Sequence, residues 1–135
     1  MKILQVATGK MTTQAYHQSF NRLIADNAIA ASFITTTQPT EIAIWGNNPL
    51  LYAQTKTSSA DRYTVLFHVE DLNQLEQSQN RIITKSPEYV ILMKNVDPPE
   101  KLLRFVNNNY IPKLDLDSMT VWQKRSLEEL ASLVQ

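Results

Sequence analysis

Within Glu41-Ile-Ala-Ile-Trp-Gly-Asn-Asn-Pro-Leu-Leu-Tyr52 the chain passes from strand chemistry to helix chemistry in four residues, and this constrains the fold more than any other stretch. Ile42 to Trp45 form a short apolar run between polar neighbours, which suits a strand covered on both faces. Gly46 allows a sharp turn, Asn48 is placed to cap the orphan amides of a helix, and Pro49 suits its first position, where no N–H is needed. The segment is therefore a β-to-α elbow. In open α/β sheets ligands sit at such elbows, outside the carboxyl ends of the strands.

On either side, hydrophobic spacing predicts alternating elements. Between Thr12 and Phe33 there is no proline or glycine, and Tyr16, Phe20, Leu23, Ile24 and Ala28 recur at helical steps, predicting one long helix over about 12–33. Thr35-Thr-Thr-Gln-Pro39 ends it. After the elbow, a short helix from Pro49 to about Lys56 leads into a polar loop, Lys56 to Asp61, and a second strand from Arg62 to His68. Asp71 and Gln74 resemble a capping box for a helix that ends near Lys85. Glu88 to Met93 is the most continuous apolar strand and is expected at the centre of the sheet. Asp97-Pro-Pro-Glu100 reads as a helix start with Asp97 as the cap, and Asn107 to Asn109 as a left-handed stop. Lys113 to Asp117 alternates strictly and pairs with Met119 to Lys124 as a hairpin at one sheet edge. Residues 125–135 form a terminal helical tail.

These elements predict a single α/β domain over 1–135, with the sheet core at about 41–124. The expected architecture is a three-layer sandwich with a mostly parallel sheet, its first three strands parallel because right-handed crossovers connect them. A chain of 135 residues with 43% apolar content can build one such core.

Composition narrows function by exclusion. Thirteen basic and thirteen acidic residues cancel, so no electrostatic pull toward nucleic acid is expected. With no cysteine and two separated histidines, no metal site is expected. Two glycines are too few for phosphate-cradling loops, so no nucleotide cofactor is expected either. No run reaches the roughly 18 apolar residues of a membrane span. His17 and His68 lack acidic companions at ligand spacing. Asp71 of the Glu70-Asp71 pair is explained by capping, and Asp115 and Asp117 by a solvated edge strand. No Ser–His–Asp or Cys–His arrangement is present, so no catalytic residue is assigned.

The residues that could bind a ligand gather near the elbow. Trp45, Tyr52 and Tyr63 offer aromatic surface, and Asn47, Asn48 and Arg62 offer hydrogen bonds, a combination suited to the apolar faces and hydroxyls of a sugar. The competing reading is structural: Trp45 and Tyr63 in the core and Asn48 as a cap.

Taken in order, Tyr16-His-Gln-Ser-Phe20, the elbow, Ala60-Asp-Arg-Tyr63, Ser86-Pro-Glu-Tyr-Val-Ile91 and Asn109-Tyr110 carry a resemblance. Over about residues 14–125 the chain resembles the C-terminal extracytoplasmic part of polytopic bacterial membrane glycosyltransferases, the family related to protein mannosyltransferases and aminoarabinose transferases. The resemblance implies a domain at the extracytoplasmic face of the membrane, whose partner is the membrane-embedded portion of the same polypeptide. It also implies an accessory role toward a polyprenyl-phosphate sugar donor or a glycan acceptor. The family's catalytic carboxylates lie between membrane helices that have no counterpart here, so the domain is expected to be inactive alone. The alternative is a free-standing α/β ligand-binding or regulatory domain.

Overall fold

The computed structural model describes residues 13–46, 48–60, 72–127 and 129. The order is α1 (Thr13–Ile34), β1 (Glu41–Trp45), α2 (Pro49–Thr55), β2 (Ser58–Ser59), α3 (Leu72–Lys85), β3 (Tyr89–Met93), α4 (Glu100–Asn109), β4 (Tyr110–Asp115) and β5 (Met119–Lys124). The strands form one open, five-stranded mixed sheet in the order β2-β1-β3-β5-β4. β1 runs parallel to both β2 and β3, whereas β5 pairs antiparallel with β3 and β4. Among the described residues the sheet is thus evenly mixed rather than mostly parallel. The physical reason is that β5 returns from a tight hairpin and pairs directly with the central strand, Ile91 opposite Val121. The predicted strand over Arg62–His68 and the capping pair that includes Asp71 lie outside the described residues.

Strand alternation divides the apolar residues between two cores. Ile42, Ile44, Tyr89, Ile91, Met93 and Val121 face a cluster closed by Ala30 and Ile34 of α1 and Leu51 and Tyr52 of α2. Ala43, Trp45, Val90 and Leu92 face the opposite cluster, closed by Ile82 of α3 and by Leu102 and Val106 of α4. Successive side chains of a strand point to opposite faces, so a run that is apolar at every position needs cover on both sides. All five β3 residues are buried, as the unbroken Tyr89–Met93 run predicted.

The ends of the elements follow local chemistry, not always the chemistry expected. The hydroxyls of Thr35 and Thr36 donate to the Ala31 and Phe33 carbonyls at 2.8 and 2.7 Å, satisfying orphan acceptors at the end of α1. Gln38, after a 3-10 turn over Thr35–Thr37 that follows α1, and Lys56 and Ser86, after α2 and α3, take the left-handed conformation. Asp97 is not the cap of α4: the helix starts at Glu100 with Pro99 at the N-cap and no side-chain capping bond of its own. The acceptor comes instead from α3, where Gln79 Oε1 accepts the buried Leu102 N–H at 3.2 Å. Nor do Asn107 to Asn109 form a left-handed stop, because α4 runs directly into extended Tyr110. The polar Lys56–Asp61 loop contains β2, whose Ser58 and Ser59 pair with Glu41 and Ile42. The hairpin strand starts earlier than its alternation suggested, at Tyr110. It carries an irregularity between Pro112 and Leu114, which its edge position tolerates. Of the C-terminal tail, only its opening is described: Ser126 and Glu129 form a capping box, Ser126 N to Glu129 Oε1 at 3.2 Å and Glu129 N to Ser126 Oγ at 3.1 Å.

Candidate functional site at the carboxyl end of the central strand

The elbow is built as a close approach of backbones. Gly46 has φ +139°, and a Cβ placed there would lie 2.3 Å from Met93 Cγ, so no larger residue fits without moving the central strand. Asn48 is 2% exposed, and its side chain makes no helix-capping bond. Its amide pairs reciprocally with Asn27 of α1: Asn27 Nδ2 donates to Asn48 Oδ1 at 2.9 Å, and Asn48 Nδ2 donates to Asn27 Oδ1 at 2.8 Å. A buried amide gains more by pairing fully with a second amide than by accepting one backbone N–H and burying its own donors. The capping role expected of Asn48 is thereby replaced by a cross-link between α1 and the elbow.

The other residues expected to bind a ligand do not converge. Trp45 is 4% exposed and packs with the α3–α4 cluster, while Tyr52 belongs to the cluster on the opposite face. The Tyr52 hydroxyl accepts the Ile44 N–H at 3.1 Å and donates to Ser59 Oγ at 3.2 Å, tying α2 to β1 and β2. Asn47 and Arg62 lie outside the described residues.

The concave space lies one strand further in. A cleft of about 370 Å³ opens where Met93, Lys94 and Asn95 leave β3, with Met93 forming the wall it shares with the elbow. Ser19, Arg22 and Leu23 of α1 form a second side, and Asp117 and Ser118 of the hairpin turn form the third. The turn is tied down firmly. Ser118 N donates to Asp26 Oδ2 at 2.9 Å, Lys94 N donates to Ser118 O at 2.9 Å, and Leu116 N donates to Met119 O at 2.8 Å.

Charge in the cleft is loosely balanced. Arg22 Nε lies 3.7 Å from Asp117 Oδ2, and Lys94 Nζ lies 2.6 Å from Asp115 Oδ1. The hydrogen bond and charge of Lys94 hold the Asp115 carboxyl below the usual range. Tyr110, remote from the cleft, donates to the Pro87 carbonyl, and burial pushes its hydroxyl up to about 12.

The position of the cleft follows from topology. The connection after β1 passes over the face covered by α1 and α2, and the connection after β3 over the face covered by α3 and α4. Adjacent parallel strands whose connections diverge leave a crevice at their carboxyl ends. Sequence reasoning located the elbow but missed Ser19, Arg22, Lys94, Asn95, Asp117 and Ser118, which come from three separate segments. The available signal was Lys94-Asn95, the first polar residues after the most apolar strand. Among the described residues no group of three or more His, Asp or Glu side chains could hold a metal ion, and no helix is long and apolar enough to cross a membrane. Compared with known proteins, the chain matches no family model, no curated protein and no solved structure.

Proposed function

We propose that this chain is a non-catalytic, ligand-binding α/β domain, organised as a three-layer sandwich, that serves as the extracytoplasmic accessory part of a membrane glycosyltransferase using a polyprenyl-phosphate sugar. The observation that supports a binding role is the 370 Å³ cleft at the carboxyl end of β3. It lies toward the small end of the range for ligand pockets, which suits one sugar ring rather than a chain. Leu23 and Met93 supply apolar wall, and Ser19, Asn95 and Ser118 supply hydrogen-bonding groups. The cleft takes over the role first considered for Trp45, Asn48 and Tyr52, whose side chains are engaged in the core.

The glycosyltransferase assignment rests on the ordered motifs, and the cleft is the surface that would meet the acceptor or carrier. The test replaces Asn95 by Ala in the full-length protein encoded by the natural reading frame. Asn95 is exposed, so the fold should persist, with transfer to acceptor reduced and the isolated chain inactive. Unchanged transfer by the variant, or a reading frame without apolar segments around this chain, would overturn the accessory assignment. The second outcome would favour a free-standing binding domain, which the same cleft supports.

A further inference from the structure

We propose that the cleft at the carboxyl end of β3 selects a ligand bearing an oxyanion, a phosphate or carboxylate on a body no larger than a single ring; this rests on the reading of that cleft as a binding site. Two cations, Arg22 and Lys94, line it with one carboxylate, Asp117, while Asp115 pairs with Lys94 from outside the lining and Asp26 holds the Ser118 amide from behind. Neither cation is committed to its protein partner in a way that excludes a ligand.

Arg22 approaches Asp117 through a single nitrogen at 3.7 Å, beyond hydrogen-bonding distance, and both side chains are more than half exposed, at 51% and 76%. An exposed pair of this kind is worth little, because water screens it and holding two long side chains costs entropy. The guanidinium keeps its parallel N–H donors, the geometry that grips a carboxylate or phosphate at two points. Lys94 bonds Asp115, whose carboxylate is 75% exposed and can turn back into water.

The backbone beside these cations is held rigid. Asp26 fixes the Ser118 amide, and the Ser118 carbonyl fixes the Lys94 amide, so both sides of the cleft are positioned before a ligand arrives. On such a frame an anion has to displace the weak Arg22–Asp117 pair and the exposed Lys94–Asp115 bond, and it loses little else in ordering the site. A neutral sugar would leave that pair in place and gain no charge-assisted bond.

The experiment follows the Asn95 side-chain amide of the chain by NMR during titration with inorganic phosphate, glucose 1-phosphate and glucose at constant ionic strength. The inference expects glucose 1-phosphate to shift this signal at the lowest concentration, phosphate to shift it more weakly and glucose least. Arg22→Gln and Lys94→Gln should each weaken the phosphate ester by about tenfold, as for loss of a charge-assisted hydrogen bond. If glucose binds as well as its phosphate, or if both variants bind the ester unchanged, oxyanion selection is overturned while the cleft still stands as a sugar site. Silence with all three compounds overturns both readings.

Discussion

At the scale of single residues, Asn48 shows how one side chain with two plausible roles is assigned by its surroundings. Its place before Pro49 suits a cap, yet the structure turns its amide into the core to meet fully buried Asn27. Replacing Asn48 with Ala removes its two hydrogen bonds to Asn27 and a weaker one to the Met93 sulfur, and leaves the Asn27 amide buried without its partner, which should cost about 3 kcal/mol. A lost cap alone would cost about 1 kcal/mol. Urea unfolding of Asn27→Ala, Asn48→Ala and the double variant distinguishes the two. The double variant should lose clearly less than the sum of the singles, because each single change strands the same partner. Additive losses would mean that the two amides act independently.

At the scale of elements, the helices depend on one another for their ends. α4 has no capping side chain of its own, and Gln79 of α3 supplies the acceptor for the Leu102 amide from a distance of 23 residues. Asp97, nearer in sequence, was the obvious candidate, but two prolines hold the chain extended until Glu100. Gln79→Ala should therefore lower stability by about 1 kcal/mol and speed hydrogen exchange at Leu102, although the substitution is in a different helix. Exchange at Leu102 unchanged from the parent would show that the bond does not protect α4. The box at Ser126 and Glu129 shows the contrasting case, a cap built from neighbours three residues apart.

At the scale of the whole molecule, the two apolar clusters are joined through the same strands. β1 gives Ile42 and Ile44 to one and Ala43 and Trp45 to the other, and β3 divides in the same way. Loss of packing on one face therefore loosens the backbone that supports the opposite face. Ile34→Ala, at a position with no exposure, should cost about 2–5 kcal/mol. Both tryptophans belong to the opposite cluster, Trp45 within it and Trp122 against it. Their fluorescence and far-ultraviolet circular dichroism should nevertheless shift together to a lower denaturant midpoint, as in a two-state transition. Separate midpoints would mean that the two faces unfold independently.

What the sequence determined by itself was local. The α/β class, the span of the long first helix, the elbow, the buried central strand and the hairpin follow from hydrophobic period, proline and glycine placement and strand composition. These are interactions between residues close along the chain, and a single sequence displays them. Only the tertiary structure decided that β5 pairs with β3, that Asn48 faces Asn27, that Gln79 serves α4 and that Arg22, Lys94 and Asp117 border one cleft. Each of those depends on segments distant in sequence meeting at a particular register, and spacing along the chain carries no record of which partner a polar side chain will find. Trp45 and Tyr52 illustrate the consequence: their aromatic chemistry suited a sugar, but strand alternation and helix packing placed them on opposite faces of the sheet, inside the core.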